Sequence, residues 1–542
     1  MKKLNLDYVS NIIGETYKTW KPGDIIIIDA QTGTGKNYFI ENVLIPWIEA
    51  KKLLFISNRT NLKRQVKIRL LEEYGFKVTE TLEELDNIKT IENVTITSYH
   101  ALQFSAKEEL YKGEKFDVSY FDYLVMDECH FILSDSGFNN LNRLSYEKLV
   151  TKQYSNIVKI FMSATMDEIK GPIIRCANKG IGLKPKIHEY ETGKDYSYVN
   201  VNYFKHKKYT GTISNMILND TTDNKWLIFI SDIKDGESIL ETIGKEKGSI
   251  IQAGTKNSKE LDSILNKDCF NKKVLIATKA LDNGINLKDE FLKNIVILAW
   301  DKTTTIQMLG RKRIDISDAQ EINLYISMRY SKSFLGLLRK YDAKQKGIDL
   351  LFLEGDNKNQ FNKKYDNDFK SLQLFSDVIY KSDFNNEFKY NTVGGARLLR
   401  DRSFANEIVE QFKYDDYAYI KEQLKWLRLE DTFDKQNTIE DVILDSDIET
   451  LEQYLEIILG VDMLMVADRK ELIHKIGLID TQHSNTKENI IKLLKNINTL
   501  NSYFVEIGID FCIKQYDTKR VIDGKKKNFK SVWKVIRLSE ES

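Results

Sequence analysis

Short apolar runs, each followed by a polar or helical stretch, set the strongest limit on what this chain of 542 residues can become. DIIIIDA (24–30), KLLFISN (52–58), VTITSY (94–99), YLVMDE (123–128) and VKIFMSAT (158–165) fill the first third. Blocks of Ile, Leu, Val and Phe with little polar alternation fit strands buried on both faces, as in parallel sheets whose crossover helices cover each side. The rhythm returns in WLIFIS (226–231), SIIQAG (249–254), KVLIAT (273–278), NIVILAW (294–300) and EINLYIS (321–327). Two α/β parallel-sheet domains in tandem are therefore expected, 1–195 and 196–330, meeting in KIHEYETGKDYSYV (186–199).

After residue 331 the texture changes. LGLLRKYDAKQKG, FANEIVEQFKYDDYAYIKEQLKWLRL, TLEQYLEIILG and KENIIKLLKNINTL carry apolar residues at helical spacing. The stretch YFVEIGIDFCIKQYDTKRVIDGKKKNFKSVWKVIRL (503–538) alternates around Asp523-Gly524, as a hairpin does. Residues 331–542 are expected to form a mainly helical C-terminal domain ending in a basic β-hairpin.

Charge does not choose a partner: 81 basic side chains nearly cancel 80 acidic ones, so local clusters must carry that argument. Four cysteines lie far apart with no C-x-x-C pair, which argues against a zinc site or disulfide framework and for a reducing, cytoplasmic setting. The first residues, MKKLNLDYVSNIIGE, reach Asp7 and Glu15 before a signal-like apolar run builds up. Runs such as IVILAW (295–300) fall far short of the ~20 residues that span a bilayer, so no membrane partner is expected. The excess of Lys, Asn and Ile points to an AT-rich genome and says little about function; a bacterial, phage or mobile-element source is expected.

The chemistry begins at IIDAQTGTGKN (27–37). Strand, Gly-rich loop and helix follow in the order a phosphate loop requires. Gly33 and Gly35 let backbone N–H groups converge on an anion, the helix N-terminus adds positive potential, and Lys36 would reach the β- and γ-phosphates. Alone, such a turn is also compatible with a purely structural role. YLVMDECH (123–130) ends a strand in paired carboxylates: Asp127 is placed to hold magnesium, and Glu128 to orient and deprotonate a water. An acidic strand end by itself is often just solvated. MSAT (162–165) closes a third strand.

Together these residues resemble superfamily 2 helicases of the DExH (DEAD/DEAH-box-like) type. Ala30-Gln31-Thr32-Gly33-Thr34-Gly35-Lys36 is similar to their motif I (Walker A), Asp127-Glu128-Cys129-His130 to motif II, and Ser163-Ala164-Thr165 to motif III. The resemblance covers about 20 to 330 and implies two RecA-like domains of the P-loop NTPase class. It also implies that Ser57-Asn58-Arg59 and Thr97-Ser98 grip a nucleic-acid backbone, since amide, hydroxyl and guanidinium groups suit phosphate oxygens and do not read bases. Strand capping is the plainer use of the same residues. Ser163 and Thr165 would couple the two domains.

In the second half IFISD (228–232), with Ser231, resembles motif IV, and VLIATKALDNGINL (274–287) resembles motif V, with Thr278, Lys279 and Gly284 in register. Asn286 stands where the family often has Asp. QMLGRKR (307–313) resembles motif VI: Gln307 and Arg311 align, while the second arginine, Arg313, falls one place early. An arginine from the opposite domain would stabilise charge on the transferred phosphoryl group, an effect of up to ~10³–10⁵ in rate for arginine fingers. Without the other motifs, GRKR would read as a basic surface loop.

Asn37 stands where the usual loop ends in Ser or Thr. Its side-chain carbonyl is a hard oxygen and a reasonable magnesium ligand. The implied site thus has Glu128, Gln307, Arg311 and Arg313 as catalytic groups, and Gln31, Thr32, Gly33, Thr34, Gly35, Lys36, Asn37 and Gly284 around ATP. Asp127 and Asn37 would hold Mg²⁺, while Asn58, Arg59, Thr97, Ser98, Ser231, Thr278 and Lys279 would lie on nucleic acid, DNA rather than RNA. From 511 to 538 nine Lys/Arg face two Asp, with Tyr516, Phe529 and Trp533 interleaved, a pattern that fits either base stacking or a solvated hairpin with an aromatic inner face. The acidic tract TFDKQNTIEDVILDSDIETLEQ offers a face for a protein partner. The expected function is an ATP-dependent helicase or translocase. The alternatives are a non-enzymatic ATP-binding clamp at an origin or junction, or the motor subunit of a nuclease or defence complex.

Overall fold

The computed structural model describes residues 2–58, 60–78, 81–112, 117–137, 139–179, 184–205, 209–252, 259–278, 286–352, 361, 365, 369–382, 387–439, 451–452, 454–476, 496–506, 509–522 and 525–537. The chain forms two compact units, Met1–Glu440 and Asp441–Ser542. The expected C-terminal domain, 331–542, straddles that division, so its first helices belong to the larger unit.

The larger unit holds two seven-stranded sheets. The first contains β1 (Ile25–Asp29), β2 (Leu53–Ile56), β3 (Thr90–Ile91), β4 (Val94–Thr97), β5 (Tyr123–Met126), β6 (Val158–Ser163) and β7 (Ile187–Glu191), in the order β3-β4-β2-β5-β6-β1-β7. Every pairing in it is parallel except β3 with β4. The second contains β8 (Val199–Lys205), β9 (Lys225–Phe229), β10 (Gly248–Ile251), β11 (Val274–Ala277), β12 (Leu292–Ile297) and β13 (Ile322–Met328), all parallel. A short antiparallel pair, β14 (Ile379–Lys381) and β15 (Phe388–Tyr390), stands apart. β16 (Thr438–Ile439) joins the edge of the second sheet beside β8. These are tandem RecA-like sheets.

All ten apolar runs became strands, and most are covered on both faces, β4 and β10 keeping half-buried residues on one. Along β1, Ile26 and Ile28 enter one core with Phe39, Ile40 and Leu44, while Ile25 and Ile27 enter another with Leu124, Met126 and Ile169. Along β9, Leu227 and Phe229 face one core while Trp226 and Ile228 face the other. Each such side chain contributes about 1.5–3 kcal/mol on burial, so the sheets are rigid platforms for the loops at their strand ends.

The helices after 331 span both lobes. Val393, in the Thr392–Gln411 helix, joins a core of the first lobe, and Arg397 donates to the carbonyl of Ser134 there. In the Ala418–Trp426 helix, Tyr419 Oη donates to the carbonyl of Trp300 at 3.1 Å, just past β12 of the second lobe. Among the described residues no helix is long and apolar enough to cross a membrane.

In the smaller unit β17 (Asp462–Met463), β18 (Phe511–Ile522) and β19 (Lys525–Arg537) form an antiparallel sheet. The hairpin is therefore present; of the residues considered for stacking, Phe529 is half-buried and Trp533 is turned inward. Trp533 is 0% exposed in the unit's core, and Tyr516 donates its hydroxyl to Asp462. Strand alternation cannot say which face turns inward, and here the core took the indole.

Candidate active site

The loop after β1 is built for close approach. Gly33 and Gly35 take φ of +94° and +81°, conformations that side chains rarely adopt. A Cβ on Gly33 would stand 3.3 Å from the carbonyl oxygen of Ile314, which belongs to the second lobe. Lys36 opens the helical segment Lys36–Phe39, and its ammonium donates to the carbonyl of Ala30 at 2.7 Å. Gln31 is held at both ends of its amide: Nε2 donates to the carbonyl of Asp195 and Oε1 accepts from its N–H, each at 2.8 Å. Neighbouring Lys194 bonds Asp29 at 2.6 Å and the carbonyl of Ala164 at 2.8 Å. The segment joining the lobes is thus fastened to motifs I and III at once.

Asn37 presents an unusual atom. Its Oδ1 is buried with no hydrogen-bond partner. An orphaned oxygen in such a position costs roughly 1–3 kcal/mol, and a hard cation would satisfy it. Asp127 is buried at the tip of β5, and its Oδ2 accepts from Ser57 Oγ at 3.1 Å. These two side chains fit magnesium. Tyr99 also donates to the carbonyl of Asp127 at 2.9 Å. Burial, with Cys129 and the two carboxylates adding to it, raises the Tyr99 phenol well above its ordinary range and keeps that donor protonated.

Glu128 follows with φ of +48°, an uncommon value for a side-chain-bearing residue. Its Oε2 lies 3.3 Å from His130 Nδ1, which lies 2.9 Å from Ser163 Oγ; Ser163 Oγ in turn is 3.3 Å from Thr165 Oγ1. Motifs II and III are therefore one polar chain under the loop.

The second lobe completes it. Asp301 caps the Lys302–Leu309 helix by accepting from Thr304 N at 2.9 Å. That helix delivers Gln307, whose Nε2 donates to Glu128 Oε2 at 3.1 Å, while Gln307 Oε1 accepts from Arg311 Nη2 at 3.5 Å. Arg311 is 2% exposed. Lys302 pairs with Asp167 of the first lobe at 2.6 Å, an exposed pair worth ~0–1 kcal/mol.

The two departures from the family pattern meet one another. Arg313 Nε donates to Asn286 Oδ1 at 2.8 Å. Motifs V and VI are zipped by backbone bonds, Leu287 N to Arg311 O and Arg313 N to Leu287 O, both 2.8 Å. Beside them Lys312 donates to the carbonyl of Asp289, and burial together with Lys293 lowers its ammonium to about 8. Asn286 and Arg313 share a cavity of 160 Å³ with Asn37, Tyr38, Glu41 and Arg69 of the first lobe.

Residues 6–168 match the family described as type III restriction enzyme, res subunit. That match covers most of the first lobe. No curated protein matches the chain. Similar solved structures include S. cerevisiae Dbp5 bound to RNA and ADP BeF3, 15% identical over 66% of this chain and 85% of that one, TM-score 0.42. The Escherichia coli DEAH/RHA helicase HrpB is 14% identical over 59% and 42%, TM-score 0.37. The Mycobacterium smegmatis helicase Lhr bound to ssDNA and AMP-PNP is 12% identical over 70% and 58%, TM-score 0.39.

In the two lobes the expected strand-gripping residues fall at strand ends. Asn58 Oδ1 accepts from Tyr99 N at 3.1 Å, Ser98 Oγ accepts from Ala101 N at 3.1 Å, and Thr97 closes β4 half-buried. Ser231 is exposed after β9, and Thr278 is half-buried after β11. Arg59, Lys279 and Gly284 lie outside the described residues. Sequence reasoning placed Ser57 in a strand-gripping motif, not beside Asp127, and assigned no separate role to Tyr99, His130 or Asp195; the only hint was the closing letter of DECH, because hydrogen-bond partners distant in the chain leave no local pattern.

Proposed function

We propose that the chain is an ATP-driven nucleic-acid helicase or translocase whose catalytic site is shared between its two RecA-like lobes. The observation that carries this reading is the 3.1 Å bond from Gln307 Nε2 to Glu128 Oε2, between residues 179 apart in sequence and on opposite lobes. Thr32, Gly33, Thr34 and Gly35 cradle the phosphates of ATP, and Lys36 exchanges its bond to Ala30 for the β- and γ-oxygens. Asp127 and Asn37 hold Mg²⁺, which neutralises phosphate charge when bound. Glu128 orients the attacking water and takes its proton, with His130 and Gln307 fixing its carboxylate. Arg311 meets the charge on the transferred phosphoryl group, and Arg313 with Asn286 faces the nucleotide from the side. Ser163 and Thr165 pass the state of Glu128 toward the first lobe's grip, Asn58, Arg59, Thr97 and Ser98. Ser231, Thr278 and Lys279 grip from the second lobe. Closing and opening of the lobes on one strand, DNA rather than RNA, then moves the protein along it.

Lys36→Ala and Glu128→Gln test this reading. Phosphate release stimulated by nucleic acid should fall at least ~10²–10⁴-fold, the usual worth of a positioned base, with the unfolding midpoint unchanged. Unaltered turnover in either variant removes the proposal.

The family description of residues 6–168 favours a second reading, the motor of a restriction-type complex that translocates on duplex without unwinding it. Displacement of a triplex strand with no opening of a fork would select it.

A further inference from the structure

The hinge between the two RecA-like lobes holds two lengths of chain side by side. One is the covalent link between β7 and β8; the other is residues 5–7, from the far end of the sequence. Asn5 N donates to Asp195 Oδ2 at 2.7 Å, and Asp7 N donates to the carbonyl of Thr192 at 3.0 Å. Between those contacts Gly193 takes φ of +83°, and a Cβ on it would stand 3.3 Å from the carbonyl oxygen of Asn5. A side chain there would be both strained and crowded, so glycine lets the two lengths lie in contact.

The second length is anchored in a different lobe at each end. Upstream, Leu4 N donates to the carbonyl of Ile316 at 2.9 Å, and Lys2 and Ala319 exchange backbone bonds of 3.2 and 2.8 Å. The Leu4 side chain is 3% exposed and enters the second lobe's core with Ile306, Leu309 and Ile316. Those neighbours bracket the catalytic groups. Ile306 and Leu309 lie on the helix that carries Gln307, and Ile316 follows Arg311 and Arg313 in the same loop. Downstream, Val9 is 0% exposed in a core of the first lobe, and Val9 N donates to the carbonyl of Thr34 at 2.9 Å. Thr34 belongs to the phosphate loop, and the Tyr8 ring comes within 3.7 Å of where a Cβ on its neighbour Gly35 would stand. Residues 5–8, between the anchors, are exposed or half-buried.

One length of chain therefore touches the phosphate loop, the interlobe link and the loop that bears the arginines. Two strands resist twisting about a hinge better than one. A shared site needs that resistance, because Arg311 must return to the same orientation over the phosphate loop at every closure. We infer that Lys2–Val9 is a second hinge strand that sets this orientation, with Leu4 and Val9 as positioning residues acting through Ile316 and Thr34. The five residues from Leu4 to Val9 reach at most about 18 Å when extended. The strand thus also limits how far the turn after motif VI can leave the phosphate loop. This rests on the shared-site reading and adds the element that aligns its two halves.

The test is a double-mutant cycle on the full chain, read as kcat at saturating ATP and nucleic acid, with ATP affinity measured in parallel. Leu4→Asp releases the upstream anchor by placing a carboxylate in an apolar core; if it lowers the yield of folded protein, Leu4→Ala takes its place. Val9→Pro releases the downstream contact by removing the N–H. Val9 opens the Val9–Ile13 helix and Tyr8 is extended at ψ of 144°, a setting that accepts proline. Either variant should lower kcat about 10–100-fold, the effect of a small misplacement of reacting groups, with ATP affinity within a few-fold of wild type. The double variant should be no slower than the slower single one, because both changes cut the same strand. Leu4→Met keeps the apolar contact and Val9→Ala keeps the N–H, so both should turn over as wild type. Losses that multiply in the double variant, equal losses in Val9→Ala and Val9→Pro, or unchanged kcat in either release variant overturn the inference. If that happens while wild type hydrolyses ATP, the hinge strand alone has failed. Wild type without nucleic-acid-stimulated hydrolysis overturns the shared-site reading and the hinge strand with it.

Discussion

The two sheets of the larger unit share one plan. With strands numbered in chain order within each sheet, counting β16 as the seventh of the second, both read 3-4-2-5-6-1-7. What differs is the connection after equivalent strands. The first strand of the first sheet leads into Gly33, Gly35 and Lys36; the first strand of the second, β8, leads into HKK (206–208) and the Tyr209–Asn219 helix, with no glycine pair. The fifth strand of the first sheet leads into Asp127 and Glu128; the fifth of the second, β12, leads to the Lys302–Leu309 helix and Gln307. One architecture was furnished twice, with complementary halves of a site. The sheets supply rigidity, and chemistry resides at the strand ends.

That comparison predicts that damage on the second lobe should resemble damage on the first. After the phosphate-loop, motif II and Arg311 variants, the largest such effect is expected for Gln307→Ala. It removes the bond to Glu128 across the cleft, and turnover should drop about 10–100-fold, the order of one lost charge-assisted hydrogen bond of ~1.5–3 kcal/mol. If kcat is unchanged, the lobes do not share their chemistry. Gly310→Ala probes closure instead. A Cβ there would stand 2.7 Å from Thr32 Oγ1 and 3.2 Å from the carbonyl of Ile306. Thr32 must rotate or the cleft must open, so the KM for ATP should rise several-fold, about 1 kcal/mol of lost closure. An unchanged KM would mean that the close approach of Thr32 and Gly310 is unnecessary for binding.

The smallest effect concerns stability. The second residue of β6 is Lys159, 2% exposed, donating to the carbonyls of Lys152 and Leu149 at 2.6 and 3.2 Å; the second residue of β13 is Asn323, donating to Asn294 Oδ1 at 3.0 Å. Burial lowers the Lys159 ammonium from 10.5 to about 8. Between those values the unfolded chain binds the extra proton, so folding gains stability as pH rises; below 8 the whole cost, about 3 kcal/mol, is borne. Denaturant titrations should show wild type gaining on Lys159→Met between pH 8 and 10. A pH-independent difference would mean that Lys159 keeps its proton in the folded core over that range.

Strands buried on both faces were legible because their composition is continuous. β3, β7, β8 and β16 were not: β3 and β16 are two residues long, while β7 (IHEYE) and β8 (VNVNYFK) alternate polar and apolar residues and lie toward the sheet margin. The division at 440/441 was hidden because a helix's apolar spacing does not say which lobe it will cover. At the site, the motif residues were legible one by one. Asn286 and Arg313 looked like two separate irregularities, since nothing local links residues 27 apart until their side chains bond. Gln31 resembled a nucleotide ligand, and its bonding to Asp195 depends on a linker 164 residues away.

The central claim is that a cation from the second lobe acts on phosphate held by the first. Its most direct test is steady-state phosphate release by Arg311→Ala at saturating ATP and nucleic acid, with ATP affinity measured in parallel. The account predicts ATP binding within a few-fold of wild type and kcat lower by ~10³ or more, the scale of a lost arginine finger. A variant that turns over at the wild-type rate would contradict it.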